Sequence, residues 1–264
     1  MKKTRIGLVG FGYIGRYIYE QIRQRPELGL EVGFVHNRSR AKLADVEAGA
    51  VLEDLGAFAG RGVDLVVEVA HPDITRLHGE AFLARADYMP LSLTALADAR
   101  VEEGLRRAAA DNGTRLFVPH GAVVGLDALE EGRDMWDEVS ITMKKPLRSL
   151  DFGAAPHLGP EGVDGERVLY DGPARGLCPL FPRNVNSHAA VALAGIGFER
   201  TRSVLVADPG LDDSIIEVRA RGGGVELDIR RANPMQGVSG VFTLMSTLAS
   251  IGRAGAARPG LRVC

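Results

Sequence analysis

The chain has 264 residues, 32 basic against 34 acidic, and carries a formal charge of −2 with no basic block. That balance excludes the electrostatic footprint of a nucleic-acid or anionic-membrane binder and points to a small-molecule partner. Two cysteines, Cys178 and Cys264, are too few and too far apart in sequence for a disulfide framework or a zinc set, which fits a reducing cytoplasm. No run approaches the ~18 apolar residues of a membrane span, and the short, glycine-broken start MKKTRIGLVGFG reads as a first strand rather than a signal peptide.

In chain order, RIGLVG is a short apolar strand, and YIGRYIYEQIRQRP spaces Ile14, Ile18 and Ile22 four apart until Pro26 stops the helix. LEVGFVHNR is a second strand, followed by an Ala- and Leu-bearing stretch from Arg40, and VDLVVEVA is apolar enough for burial on both sheet faces. The alternation runs on through GEAFLARA, YMPLSL, ADARVEEGLRRAAADNG and TRLFVP. It predicts an α/β fold whose N-terminal domain, residues 1–125, is a Rossmann-type, doubly wound parallel sheet.

Beyond Gly125 the strand candidates DEVSITMKK, RTRSVLVAD, SIIEVRARG and GVELDIRRA follow one another, several with period-two alternation, and Gly222 to Gly224 marks a turn between the last two. This predicts an α+β domain over 126–238: a mostly antiparallel sheet with an Ala189 to Gly195 helix on one face. VSGVFTLMSTLASIGRAG, within 239–264, is an amphipathic helix expected to pack back on the first domain.

Gly10-Phe11-Gly12-Tyr13-Ile14-Gly15 is a G-x-G-x-x-G between a predicted strand and a predicted helix. Gly10 permits the tight turn, Gly12 lets backbone approach a pyrophosphate, Gly15 allows helix and strand to pack closely, and the helix start supplies N–H donors. Alone the pattern is weak. At the head of a βαβ series it predicts dinucleotide binding. After the second strand, where an acid would hold the ribose 2′-hydroxyl of NAD, stand His36, Asn37, Arg38, Ser39 and Arg40. Arg38 suits a 2′-phosphate and Asn37 either form, so NADP is expected to be favoured, with NAD accepted.

With the glycine loop, VVEVAHPD, SLTALAD, PHGAVVGLDAL, YDGPARGLCPLFPRNVNSHAA, VLVADPGLDD and RANP in order, the chain resembles the L-aspartate dehydrogenase family from end to end, nearest the branch of the animal aspartate dehydrogenase domain-containing proteins. The resemblance implies a homodimer that oxidises L-aspartate with NAD(P) to iminosuccinate, which hydrolyses to oxaloacetate and ammonia, or runs the reverse reductive amination. It also implies cofactor contacts at the glycine loop, Ala122 and Asn186. The family's active-site histidine would fall on Ile215 or Ile216, and neither can transfer a proton.

The stretch FPRNVNSHAAVALAG, residues 181–195, sets polar groups at the mouth of an apolar helix. Asn186 or Ser187 is a good N-cap there. Substitutes for the absent histidine are sought among six histidines. His188 stands in the first helical turn and His120 beside Ala122, while His71 follows the strand LVVEVA, which ends at Ala70, where ligands of such folds bind. An imidazole tuned near neutral pH would serve the proton transfer. Lys144, Lys145 and Arg183 are the cations available to a dicarboxylate substrate, with ordinary surface placement as the competing reading. Two other functions stay open: an NADP-dependent imine or keto-acid reductase with a different substrate, and a non-catalytic dinucleotide-binding sensor.

Overall fold

The computed structural model describes residues 3–236 and 239–255. Cys264, with the rest of 256–264, lies outside the described residues. The chain forms two compact units, one taking the described residues up to Leu91, Gly104–Pro119 and those from Thr247 on, the other Ser92–Glu103 and His120–Ser246. The second unit thus takes a segment, Ser92–Glu103, from inside the range expected for the first domain.

In the first unit, strand β1 (Thr4–Val9) leads through helix α1 (Tyr13–Gln24) to β2 (Leu30–His36). Ile18, Tyr19 and Ile22 give α1 its buried stripe, and Pro26 follows its last turn. The Ala- and Leu-bearing stretch from Arg40 forms three short 3₁₀ segments, Arg40–Leu43, Ala48–Ala50 and Leu55–Arg61. Gly49, Gly56, Gly60 and Gly62 break any longer helix here. Then come β3 (Leu65–Glu68), α2 (Pro72–Leu83), β4 (Asp87–Pro90) and α3 (Ala99–Asn112), the last running across the division between the units. The sheet order is β2-β1-β3-β4 with every pair parallel, so the chain reverses its direction of winding at β1 and β3. TRLFVP forms only a single bridge, Leu116 to Tyr88, rather than a strand. Ile6, Leu8, Ile18, Leu30, Val35, Leu65 and Val67 make the core, joined by Ile251 and Ala254 from the C-terminal helix.

The second unit holds α4 (Leu126–Glu131), β5 (Glu138–Pro146), β6 (Arg167–Pro173), α5 (Ala174–Leu177), α6 (Asn186–Ala194), β7 (Thr201–Asp208), β8 (Asp213–Gly222), β9 (Val225–Gln236) and β10 (Ser239–Gly240). Helix α7 (Val241–Ala254) follows. The sheet order is β10-β9-β8-β5-β7-β6, antiparallel except for β5 beside β7. Gly223 and Gly224, both at positive φ, make the two-residue turn between β8 and β9. Helix α6 is apolar on nearly every side, and all of Ser187 to Ala194 is buried, as expected of a helix enclosed by packing rather than lying on a surface.

Candidate active site

In the first unit the turn from β1 into α1 is built as the glycine spacing requires. Gly10 has φ +105°, and a Cβ there would lie 2.9 Å from the Val69 carbonyl and from Ala70 Cβ. A Cβ on Gly15 would strike the Gly10 carbonyl oxygen, whereas one on Gly12 meets nothing within 4 Å. Gly12 is the N-cap and brings no side-chain cap, so the positive end of the helix stands behind the turn. These features fit a pyrophosphate. Tyr13 is exposed and Ile14 half-buried beside that turn.

Asn37 holds the loop in place: its Oδ1 accepts from Phe11 N at 3.0 Å and its Nδ2 donates to Ser39 O at 3.0 Å. Each end of the amide thus makes one bond within the protein, and Asn37 braces the loop where the ribose contact is expected. Arg38 is exposed with no ion pair among the described residues, while Arg40 pairs with Glu53 at 2.8 Å. Across the turn, the fully buried Glu68 at the end of β3 accepts from Ala70 N at 2.6 Å and His71 N at 2.8 Å. Its carboxylate therefore shapes the loop carrying Ala70. His71 is half-exposed and caps α2, its Nδ1 accepting from Asp73 N at 3.3 Å.

The second unit collects a polar cluster under α6. In β5 the alternation that buries Val139, Ile141 and Met143 also buries Lys145, only 3 % exposed, on the face toward α6. Lys144 points the other way and pairs with Glu166 at 2.7 Å, which raises its pKa. Period two therefore separates two lysines that sequence alone leaves equivalent. In β9 the same alternation sets Arg231 in phase with Leu227 and Ile229. Register pairs Arg231 with Ile216, which in turn faces Met143.

No acid accompanies these cations: among the described residues Lys145 makes no hydrogen bond or ion pair, and Arg231 reaches only the Ser214 carbonyl, at 3.4 Å, with its Nε buried and unpartnered. Burial, with Arg231 adding to it, lowers the Lys145 pKa to about 8, and burial lowers that of Arg231 to about 10. His188 is wholly buried with neither ring nitrogen partnered, and burial and then Lys145 hold it at about 3. It is therefore a neutral imidazole at physiological pH, below the near-neutral range that the sequence reading wanted of a proton carrier. The Asn233 amide nitrogen, packed against Gly240, also lacks a partner.

The asparagines of the α6 mouth tie segments of this unit together. Asn184 accepts from Asp151 N at 2.8 Å and donates to Ser149 O at 2.9 Å, and Asn186 Oδ1 accepts from Thr94 N at 3.1 Å. The expected cap is absent. Val185 is the N-cap, and neither Asn186 nor Ser187 caps the helix, because the Asn186 side chain is drawn to Thr94 instead. Arg183 is paired with Asp151 at 3.0 Å, so, like Lys144, it already has an acidic partner, and of the three proposed substrate cations Lys145 alone lacks one among the described residues. His120 and Ala122 are half-buried in the loop before α4. Burial pushes the Cys178 thiol up to about 12, which leaves it inert.

Sequence reading missed Glu68 and Arg231, although each left a signal: a lone acid closing an apolar strand, and an arginine in the inward phase of LDIRR. Among the described residues no group of histidines, cysteines and acids is placed to hold a metal ion, and no helix is long and apolar enough to cross a membrane.

Residues 127–254 match the family described as aspartate dehydrogenase, C-terminal, and residues 10–119 match the NAD-binding domain of homoserine dehydrogenase. An aspartate dehydrogenase domain-containing protein of Xenopus tropicalis is 40% identical over 85% of this chain and 82% of its own. The L-aspartate dehydrogenase of Methanosarcina acetivorans is 34% identical over 83% of each. Among solved structures, aspartate dehydrogenase of Thermotoga maritima superposes with a TM-score of 0.73 at 26% identity, covering 95% of this chain and 94% of the other. With an NAD-binding unit followed by the C-terminal unit of these enzymes, the chain belongs to the aspartate dehydrogenase family.

Proposed function

We propose that the protein is an NAD(P)-dependent dehydrogenase acting on the α-amino group of L-aspartate or a close dicarboxylate, with iminosuccinate, and from it oxaloacetate and ammonia, as product, and reductive amination as the reverse. The observation that carries this reading is the pair of cations withdrawn from water, Lys145 buried and Arg231 part-buried, with no acid beside them. An uncompensated charge withdrawn from water is strongly unfavourable, and an anionic substrate restores the balance.

The dinucleotide, when bound, accepts or supplies the hydride at the substrate carbon. The turn Gly10, Gly12, Tyr13, Ile14, Gly15 would hold its pyrophosphate, with Ala70, Ala122 and Asn186 as further contacts. Asn37 braces that turn, and the exposed Arg38 favours a 2′-phosphate, so NADP is preferred over NAD. Of the two positions that the resemblance offers for the family's histidine, Ile216 is the fit, because it is buried on the same face as Lys145 whereas Ile215 alternates away. This apolar position supports a second reading, an imine or keto-acid reductase whose substrate lacks the second carboxylate. His71 and His120 remain proposed proton carriers, a homodimer is proposed from the family, and a cytoplasmic location from the sparse cysteines.

The test is oxidation of NADPH and NADH by the purified protein with oxaloacetate and ammonium, beside a control without ammonium. Ammonium-dependent oxidation supports aspartate chemistry. Oxidation by other keto acids or imines alone supports the second reading.

A further inference from the structure

We propose that Lys145 is the group that exchanges a proton with the substrate nitrogen, while Arg231 holds a substrate carboxylate; this rests on the amino-acid dehydrogenase reading above.

The roles divide by chemistry. A guanidinium stays charged at working pH and presents a planar fork that matches a carboxylate, whereas a buried ammonium can lose its proton. Arg231 keeps its charge with a pKa of about 10, and Lys145, at about 8, changes charge close to neutrality. The groups facing Lys145 are Arg231 from β9 and His188 from α6, and neither can serve in its place: one does not release its proton, the other does not hold one. Lys145 is also the last inward residue of β5 before Pro146, and no protein acid fixes its charge.

In the oxidative direction the neutral Lys145 Nζ takes a proton from the substrate ammonium, and the N–H bonding pair stays on the substrate nitrogen. That lone pair forms the C=N bond as the Cα–H pair departs as hydride to the oxidised dinucleotide. The substrate carbon is oxidised and the dinucleotide reduced. Hydrolysis of the imine then needs only water. In reverse, hydride arrives at the iminium carbon, the C=N pair moves onto nitrogen as a lone pair, and protonated Lys145 gives its proton to that lone pair.

The two directions need opposite protonation states. The kcat/KM for aspartate oxidation is expected to rise with pH through about 8, and that for imine reduction to fall through the same value. Lys145→Met should lower turnover by ~10²-fold or more and abolish the Lys145 limb. Lys145→Arg, which keeps the charge without releasing a proton, should do the same while the inhibition constant of succinate stays within about threefold. If these variants fold poorly, Lys145→Cys in a Cys264→Ser background, alkylated with 2-bromoethylamine, restores an amine less basic than lysine. It should recover turnover with the limb moved to lower pH.

Independently of activity, competitive acetylation of the cofactor-free protein, read at Lys145 by mass spectrometry, should titrate near 8. Turnover that survives in Lys145→Met with an unchanged profile, or a Lys145 that titrates like an ordinary lysine, overturns the proposal alone. Absence of turnover in the wild type on any amino acid overturns the dehydrogenase reading and the proposal with it.

Discussion

Lys145→Met should stabilise the ligand-free protein at neutral pH even as it removes activity. Lys145 is 3 % exposed and has no acid partner, and its pKa falls from the ordinary 10.5 to about 8. Above both values the lysine is neutral in folded and unfolded chains, and it contributes no pH dependence. Between about 10.5 and 8 the unfolded chain binds the proton and the folded chain does not, so stability falls as pH is lowered through that window. Below about 8 both states are protonated and the loss is complete, at about 3 kcal/mol by the ~1.4 kcal/mol per pH unit of linkage. Methionine keeps the length of the stem and carries no charge. The variant should therefore gain up to ~3 kcal/mol at pH 7 and only about 1 kcal/mol at pH 9.5. Urea unfolding of both proteins at the two pH values, with and without succinate, measures the gap. A variant less stable than wild type at pH 7, or a gap that does not shrink as pH rises, would refute the description of Lys145 as a buried, uncompensated cation.

Gly10→Ala forces a side chain into φ +105° and against the Val69 carbonyl; loss of about 1–3 kcal/mol of stability and a clear fall in NADPH affinity are expected, by thermal unfolding and calorimetry. Arg38→Ala should weaken NADPH by about tenfold and leave NADH within about twofold, by fluorescence titration; equal effects on both would remove the 2′-phosphate role. Glu68→Ala strands the Ala70 and His71 amides and should lower stability by about 2 kcal/mol or more, with faster hydrogen exchange at those two amides as the local readout.

Most of the architecture was legible because it rests on periodicity. The strand and helix spacing of residues 4–36, the alternation of β5, β8 and β9, and the Gly222 to Gly224 turn are local patterns, and each formed the element it predicted. The failures were tertiary. TRLFVP kept one bridge. Asn186 looked like a cap because caps are local, but Thr94, 92 positions earlier, claimed its oxygen. For the candidate site, the glycine loop was readable, while the distinction between Lys144 and Lys145 needed the phase of β5 relative to α6. Arg231 was hidden in plain alternation, since an arginine in an inward position is discounted until the sheet shows that it has no acidic partner.

That missing partner separates stabilising chemistry from functional chemistry in this unit. Elsewhere, arginines are matched with acids: Arg175 with Glu102 and Glu199, Arg202 with Asp171, Arg183 with Asp151. Such pairs are mostly solvent-exposed and contribute little, but they leave no charge stranded. Under α6 the pattern inverts: a buried lysine, a part-buried arginine and a buried histidine stand together without an acid, although acids abound in this chain. A sequence selected for stability alone would remove that arrangement, since an apolar residue at 145 is more stable and equally compatible with the strand. Its presence is accounted for if the missing negative charge arrives with the substrate, so bound dicarboxylate should stabilise the wild type more than Lys145→Met, a difference that grows as pH falls below about 8.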